Sequence, residues 1–167
     1  MPNLLALLLL LFPFGQSSSA DPQHALLDRM TGHWVARGII SKKETTHDID
    51  AAWILNQEYV QIHEVSREKD SAGKPQYEAM EIVMWDPKVG EYAILWFDTT
   101  TVSTFPPEGI GRAKPAPDKI PFIYKDPAGG IHTTFAYDRA KDEWSWTIDN
   151  ESKGVLTPFA RLTLTRK

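Results

Sequence analysis

The sequence contains no cysteine among its 167 residues. Disulfide bonds, a lipid anchor on a cysteine and thiolate metal or redox chemistry are therefore excluded, and the fold depends on its core alone. The sequence also lacks a basic surplus: 18 Lys and Arg stand against 22 Asp and Glu, for a formal net charge of −4. Because the basic residues are scattered among acids, we expect neither nucleic acid nor an anionic membrane as a partner.

Long apolar runs are scarce too. The stretch Leu4 to Phe12 is too short to span a bilayer as a helix, and it is followed by a small-residue run that ends at Ala20. This pattern is typical of a secretory signal peptide. We therefore expect residues 1–20 to be cleaved and residues 21–167 to form a single domain that is exported, either periplasmic or secreted, with no integral membrane span.

Helix signals are confined to one short segment. Asp21-Pro22 offers an N-cap and a first-turn proline, and apolar residues follow at helical spacing up to Met30, before Gly32. The rest reads as short segments rich in β-branched and aromatic residues, separated by turns, as in a β-sandwich or β-barrel. The exception is Pro106 to Pro117, with four prolines and two glycines, which we expect to be a long unpaired loop and a candidate lid.

The clearest hairpin surrounds the turn Arg139 to Asp142. A four-residue loop there places aromatic side chains on one face and polar side chains on the other, and a slip of one residue would move the aromatic set into water. The predicted inner pairs are Tyr137 with Trp144, Phe135 with Trp146 and Thr133 with Ile148. With Pro127 to Gly130 as the preceding loop, Tyr124, Phe122 and Ile120 lie opposite Thr133, Phe135 and Tyr137 on the same face.

Two earlier hairpins are also predicted. A turn at Asn56-Gln57 pairs Trp53 with Val60 and Ala51 with Ile62 on an apolar face. A loop ending at Gly90 pairs Trp85 with Tyr92, Val83 with Ile94 and Glu81 with Trp96. The opposite face of this second hairpin is apolar as well, so either face could point inward. The outer face then needs a cover, either the N-terminal helix or a homodimer partner that contacts Met80, Ile82, Met84, Leu95 and Phe97.

Together these hairpins predict an all-β fold: a closed antiparallel up-and-down β-barrel of about 8 to 10 strands with a short N-terminal helix. Gly32-His33-Trp34 directly after the helix, with Arg161 and Arg166 on the last strand, resembles the calycin superfamily of lipocalin-like barrels. That resemblance implies that the tryptophan and a late arginine pack together to close one end.

More narrowly, four segments in order resemble an uncharacterised bacterial family, a domain of unknown function distantly related to nitrobindin-like barrels. They are 27–34, Trp53-Ile54-Leu55-Asn56, Trp85-Asp86-Pro87 and Trp96-Phe97-Asp98. In nitrobindin-like proteins a histidine near the carboxyl end holds haem. This chain has no histidine after His132, so we expect no haem and predict no cofactor.

The histidines offer little chemistry in this register. His63 lies opposite Asp50, and His132 opposite Asp149, but both pairs fall on the outer face and are expected to be surface polar pairs. His33, His47, His63 and His132 do not share the spacing that brings metal ligands together, so no metal site is predicted.

The inward aromatic residues are the predicted ligand-binding set: Trp53, Trp96, Phe122, Tyr124, Phe135, Tyr137, Trp144 and Trp146. They either line a pocket or simply fill the barrel. Glu81, if it points inward, should have a raised pKa and could serve as a general acid, helped by Asp98 or Tyr92, or as an anchor for an amine or hydroxyl of a ligand. The favoured function is an exported lipocalin-like binding protein for a small apolar or aromatic molecule. The alternatives are an enzyme that uses Glu81, or a packed barrel that acts as an interaction module.

Overall fold

The structure is a computed structural model, and it describes residues 22–100, 109–126 and 129–167. The predicted signal peptide lies outside the described residues. The described residues form one helix, α1, and ten strands. Their bounds are α1 Pro22–Met30, β1 Gly32–Ile40, β2 Lys43–Ile54, β3 Tyr59–Ser66, β4 Glu78–Asp86, β5 Glu91–Asp98, β6 Gly111–Ala113, β7 Lys119–Asp126, β8 Gly129–Asp138, β9 Glu143–Ser152 and β10 Val155–Arg166.

The strands form a single closed antiparallel barrel. Each strand pairs with its neighbours in the chain, and β1 pairs with both β2 and β10, so that the first and last strands close the sheet. Closure removes the unpaired edges that an open sheet would expose. The predicted fold class, an up-and-down barrel of about 8 to 10 strands with a short N-terminal helix, is confirmed.

Three of the four predicted hairpin registers are confirmed. The pairs Tyr137 with Trp144, Trp53 with Val60, and Glu81 with Trp96 all occur as expected. In each case a short turn fixes the register and strict alternation places one face in the core.

The register between β7 and β8 was predicted wrongly by two residues. Phe122 lies opposite Thr133, and Tyr124 lies opposite Ile131, because β8 begins at Gly129 instead of after Gly130. A Cβ on Gly129 would lie 2.0 Å from the Glu151 carbonyl oxygen, so this glycine permits close strand packing and is not a loop residue. An even shift keeps every side chain on its predicted face.

The expectation of one long loop from Pro106 to Pro117 was also wrong. Gly111–Ala113 form β6, which pairs with β5 and, through Arg112, with Ile123 of β7. Proline cannot donate to a strand ladder, but the prolines flank this short stretch and leave its own N–H groups free to pair. Residues 106–108, and with them part of the proposed lid, lie outside the described residues.

Helix α1 plugs one end of the barrel. Its buried residues Leu26, Leu27 and Met30 join the core, and the Trp34 indole N–H donates to the Met30 carbonyl oxygen (2.8 Å). The expectation that α1 covers the outer face of β4 and β5 was therefore wrong, because its apolar side fits the open rim of the barrel instead. In the part of the chain that the structure describes, no helix is long and apolar enough to cross a membrane.

Trp34 and Arg166 close the same end. The guanidinium carbon of Arg166 lies 3.8 Å from the centre of the Trp34 ring, and its Nη1 donates to the Thr31 carbonyl oxygen (2.6 Å). Gly32 has φ +117°, and a Cβ there would lie 2.3 Å from Arg166 Nη1. Arg161 instead donates to the Ile148 carbonyl oxygen (2.9 Å) and to Asp149. The closing arginine is therefore Arg166.

The face of the β4–β5 hairpin that carries Glu81 points into the lumen. Glu81, Val83 and Ile94 are fully buried in the lumen. The alternating side chains of the hairpin lie on the outer face and are half-buried: Met80, Ile82, Met84, Leu95 and Phe97. A homodimer through this outer face stays a prediction.

Candidate functional site

A small polar cluster interrupts the apolar lumen. The buried polar side chains among the described residues are His47, Glu64, Ser66, Glu81 and Thr133. Four of them occupy inward positions on the adjacent strands β2, β3 and β4. His47 on β2 lies opposite Ser66 of β3, and Glu81 on β4 lies opposite Ile62, two residues from Glu64 on β3. These positions lie toward the barrel end opposite α1. The carboxyl groups of Glu64 and Glu81 are therefore neighbours in a buried region.

Glu81 is the least satisfied group of this cluster. Its side chain is fully buried, and neither carboxyl oxygen has a hydrogen-bond partner among the described residues. Burial raises the pKa of Glu81 well above its usual value, and the nearby carboxylates of Glu64 and Asp98 raise it further. The predicted inward position of Glu81 is confirmed, and its burial favours the neutral acid over the carboxylate.

Glu64 is linked to the partly exposed Glu68 through His47 and Thr45. The Thr45 hydroxyl donates to Glu68 Oε2 (2.8 Å), and it contacts His47 Nε2 (2.7 Å). Partial burial opposes ionisation of Glu68, but hydrogen bonds from its own backbone N–H, Thr45 and the Thr46 backbone outweigh it and lower the pKa of Glu68. Because Thr45 has one hydroxyl proton and donates it to the Glu68 carboxylate, His47 Nε2 must carry a proton and donate to Thr45.

The opposite nitrogen of the same ring shares a proton with Glu64. His47 Nδ1 is hydrogen-bonded to Glu64 Oε1, and both side chains are buried. Either an imidazolium donates to the carboxylate, or a neutral acid donates to the neutral ring. Burial raises the pKa of Glu64, and the bond to His47 opposes that rise. The pair therefore holds one proton that can reside on either partner, and Glu64 Oε2 has no hydrogen-bond partner within the described chain.

Aromatic side chains surround the polar cluster on the side away from α1. The Trp96 indole N–H donates to the Tyr77 hydroxyl (3.0 Å), which donates to Asp98 Oδ2 (3.2 Å). The Tyr77 ring stacks on His47 with 5.7 Å between ring centres. Burial, and then the nearby carboxylates, raise the pKa of Tyr77, so its hydroxyl stays protonated. Trp96 and Tyr77 are both only partly buried, and they form the accessible side of the site.

The eight predicted ligand-binding residues all project inward, but they divide into two groups. Trp53, Tyr137 and Trp144 hold α1: their polar atoms bond Asp28 Oδ1 (2.6 Å), Arg29 Nη1 (3.4 Å) and the Arg29 carbonyl oxygen (3.2 Å), respectively. The other five lie in the middle of the barrel and toward its far end: Trp96, Phe122, Tyr124, Phe135 and Trp146.

The central aromatic rings pack on one another. Trp146 stacks on Phe135 (4.9 Å between ring centres) and lies 5.5 Å from Trp96, and its indole N–H donates to Thr133 Oγ1 (2.8 Å). A cavity of about 10 Å³ remains beside Glu81, lined also by Met30 and Ile62. This space holds about one water molecule, so the centre of the lumen is largely filled by side chains.

A ligand-sized hollow lies outside the lumen. It has a volume of about 390 Å³ and lies between α1 and the turn before β7. Leu26 and Tyr92 contribute to its apolar wall, and Arg29, Asp118 and Arg139 contribute charges. The hollow lies at the plugged end of the barrel, away from Glu64.

The remaining polar candidates do not join the lumen site. His63 and His132 lie on the outer face, opposite Asp50 and Asp149, as predicted, but each makes its side-chain hydrogen bond to a glutamate instead. Their side chains bond Glu78 (2.8 Å) and Glu151 (2.7 Å), which lie diagonally across the strand pair and reach further than aspartate does. Asp50 is bound by His33, and Asp149 by Arg161. Among residues 22–100, 109–126 and 129–167, no group of three or more His, Asp or Glu is arranged to hold a metal ion.

Tyr92 and Asp98 were predicted to assist Glu81 in acid–base chemistry, and the structure places only Asp98 near it. The Tyr92 hydroxyl donates to the Gln23 carbonyl oxygen of α1 (3.2 Å), at the wrong end of the barrel, so its expected role beside Glu81 was wrong. Asp98 lies near enough to raise the pKa of Glu81 and accepts the Tyr77 hydroxyl. The closer neighbour, Glu64, was not singled out from the sequence.

Strand alternation could have found the missed residues. Val60 and Ile62 point inward, so Glu64 has the parity of a core residue, as His47 does with Ile49 and Ala51. Tyr77 precedes β4 and carries no comparable signal.

The fold assigns the chain to a structural class. The chain is a closed ten-stranded antiparallel barrel, consistent with a calycin-like fold. Neither the protein-family models nor the curated proteins give a match to the chain. The resemblance to one bacterial family of such barrels stays a prediction.

Proposed function

We propose that this chain is an exported calycin-like binding protein that takes a small apolar or aromatic molecule into its lumen. The observation that carries the proposal is the fully buried Glu81 carboxyl, which has no hydrogen-bond partner in the described chain and faces an aromatic wall. Ligand sites combine apolar walls with a few placed polar groups in this way.

The buried Glu81 carboxyl lowers the stability of the fold. A carboxyl buried without a hydrogen bond destabilises a protein by about 1–3 kcal/mol, even as the neutral acid. An apolar side chain of similar volume would serve a purely structural barrel better. Retention of an acid at this position therefore supports a role outside folding.

Access is expected from the end opposite α1. The cavity of about 10 Å³ admits a water-sized group only, so a larger ligand has to displace side chains. Trp96 is the best candidate to move, because it is partly exposed and its indole is held by a single hydrogen bond to Tyr77. The fluorescence of Trp96 itself would then report on the ligand.

A second candidate function is acid–base catalysis on the same scaffold. The linked side chains of Glu64, His47, Thr45 and Glu68 favour it, since they lead from a buried acid to a partly exposed one. Such a path could restore a proton to a site that has donated one.

The test combines two measurements on the mature protein. Native mass spectrometry of protein purified from its own exported compartment should show a bound small molecule and the loss of residues 1–20. Titration with a panel of aromatic ligands should quench tryptophan fluorescence, and most of that signal should disappear in Trp96→Phe but persist in Trp53→Phe, whose indole is held on α1. A bare protein with fluorescence that ignores the whole panel would contradict the proposal.

A further inference from the structure

The charges of the lumen suggest what kind of ligand it selects. The buried carboxyl and imidazole side chains in the described ranges are Glu64, Glu81 and His47, and no Lys or Arg is buried there. The side chains of the salt-bridged arginines in the described chain are instead 39% to 68% exposed. The lumen therefore has an excess of acid and no permanent cation to neutralise it.

We infer that the lumen site selects molecules that carry an ammonium group, held at the Glu81 carboxyl with Glu64 as its acidic neighbour, and with the apolar remainder of the molecule against Trp96 and Trp146. This inference rests on the proposed function and names its ligand class. The unpartnered atoms match the group: Glu64 offers Oε2, Glu81 offers both oxygens, and an ammonium group has up to three N–H donors.

Size and surroundings agree with this assignment. The cavity of about 10 Å³ accommodates a group the size of water, and an ammonium group is similar in size. Glu81 is the one carboxyl among the residues that line this cavity, so it is the group that would contact the nitrogen there. The rings of Trp96 and Trp146 supply aromatic faces, which attract cations. An anionic ligand would meet two carboxyl groups and no buried Lys or Arg in the described lumen, so the charge pattern disfavours it.

Binding an ammonium group changes the proton balance of the site. Burial favours the protonated form of Glu81, and an ion pair with R–NH3+ forms when that carboxyl loses its proton to solvent. One H+ is therefore released for each ammonium ion bound, and no covalent bond in the ligand changes. The titratable groups that interact with Glu81 are Glu64 from β3, Asp98 from β5 and Tyr77 from the segment before β4, and His47 of β2 is bound to Glu64. The cavity wall beside Glu81 is apolar and includes Met30, Phe135 and Trp146.

This balance predicts a characteristic pH dependence. Because release of a proton is favoured at low proton concentration, affinity for an amine should rise by up to about tenfold per pH unit while Glu81 remains the neutral acid. Affinity for a neutral alcohol of the same shape should change little over the same range.

The experiment compares matched probes on the mature wild-type chain. Benzylamine, 2-phenylethylamine and 3-phenylpropylamine are titrated at pH 6, 7 and 8 against benzyl alcohol, 2-phenylethanol and 3-phenylpropanol. We expect the best amine to bind at least about tenfold more tightly than its alcohol at pH 8, which corresponds to about 1.4 kcal/mol. Calorimetry in two buffers of different ionisation enthalpy should show release of about one proton with the amine and none with the alcohol.

Substitution assigns the effect to the site. In Glu81→Gln the preference for the amine and the proton release should both be lost, while alcohol binding persists. The matched control is Glu58→Gln, which removes a carboxyl from the exposed turn after β2 and should leave both unchanged. Because proton release is measured on the wild-type chain, the test does not depend on how well the Glu81→Gln variant folds.

The outcomes separate this inference from the proposed function. Equal binding of amines and alcohols, without proton release, would overturn the ammonium selectivity and leave the binding protein standing. If none of the six probes binds at any pH, the proposed function itself fails. If amines bind but Glu81→Gln keeps the preference while Arg29→Ala or Asp118→Ala in the outer hollow removes it, the inferred site is wrong.

Discussion

Glu81 should make the stability of the barrel fall as pH rises. Its pKa is raised in the folded state by burial, so unfolding allows the carboxyl to ionise. The stability that Glu81 contributes is fully present below a pH of about 4.3, which is its pKa in the unfolded chain. Above that pH, this stability is lost at up to about 1.4 kcal/mol per pH unit, until the pH reaches the pKa of Glu81 in the folded protein. We expect Glu81→Gln to gain stability relative to wild type between pH 5 and 8.

Urea unfolding at pH 4, 5, 6, 7 and 8 measures this difference. Comparison with Glu81→Gln subtracts the contributions of all other groups, which are the same in both proteins. A constant difference in the free energy of unfolding across this range would mean that Glu81 ionises freely in the folded barrel, and would contradict its placement in the lumen.

Asp48 should show the opposite dependence. Hydrogen bonds from Arg67 lower the pKa of Asp48 to about 2, and Lys167 contributes further, although partial burial opposes the shift. This stabilisation is present above the unfolded pKa of about 3.9 and is lost as pH falls through about 2. Because about a third of the side chain is exposed, solvent screening limits the effect to about 1 kcal/mol or less.

Asp48→Asn should therefore cost up to about 1 kcal/mol in urea unfolding at pH 7. At pH 2 the cost should be clearly smaller. A variant equally destabilised at both pH values would show that packing, and not charge, is what Asp48 contributes.

At the scale of single residues, the sequence predicted which residues belong to the site better than which face of a strand their side chains occupy. Glu81 could be singled out, but β4 and β5 carry apolar side chains on both faces, so alternation alone could not say which face is inner. Glu64 and His47 could have been found by parity from Ile62 and Ile49. Their hydrogen bond joins β2 to β3 near the far end of the barrel, many residues from the turn that fixes the register of this strand pair.

Helix α1 should contribute to stability as a plug. Leu27 is fully buried where α1 enters the barrel end. Leu27→Ala should cost about 2–4 kcal/mol in the free energy of unfolding, because it leaves a cavity against the core. Leu156→Ala is the control: this leucine of β10 is 53% exposed, and its truncation should cost less than about 0.5 kcal/mol. Equal effects of the two substitutions would show that α1 is not packed into the barrel.

Gly32 should be required for the closure of the same end. Gly32→Ala combines an unfavourable φ of +117° with a Cβ placed 2.3 Å from Arg166 Nη1, so the guanidinium has to leave Trp34. We expect a loss of about 2–3 kcal/mol in thermal or urea unfolding. Gly73→Ala also has a positive φ (+78°) but meets no atom within 4 Å, and should cost about 1 kcal/mol. Loss of no more stability at Gly32 than at Gly73 would argue against the closing role of Arg166.

At the scale of elements, predictions succeeded where turns and alternation agree. The hairpins at 55–58, 86–91 and 138–143 have short turns, and each of their registers was correct. The β7–β8 register failed because Gly129 and Gly130 are typical of loops, yet here they belong to a strand. β6 was missed because three residues between prolines are too few to show a period, and their pairing is decided by β5 and β7.

At the scale of the whole molecule, the closed barrel was predictable but the state of its lumen was not. The barrel closes because consecutive hairpins form one sheet with an apolar face. That face is buried when the sheet curves until its first and last strands pair. The remaining volume depends on how side chains from distant strands interlock, such as Trp96 on β5 against Trp146 on β9. That contact joins strands far apart in the chain, and no local pattern in the sequence encodes it.

The most direct test of this account is the titration of the Glu81 carboxyl itself, followed by carbon NMR on protein labelled at glutamate side chains and assigned with Glu81→Gln. We expect the Glu81 signal to remain that of a neutral acid through neutral pH and to become that of a carboxylate when 2-phenylethylamine is added. A signal that titrates near a pKa of about 4.3, as a solvated glutamate does, and that ignores the amine would contradict the buried ligand site on which the account rests.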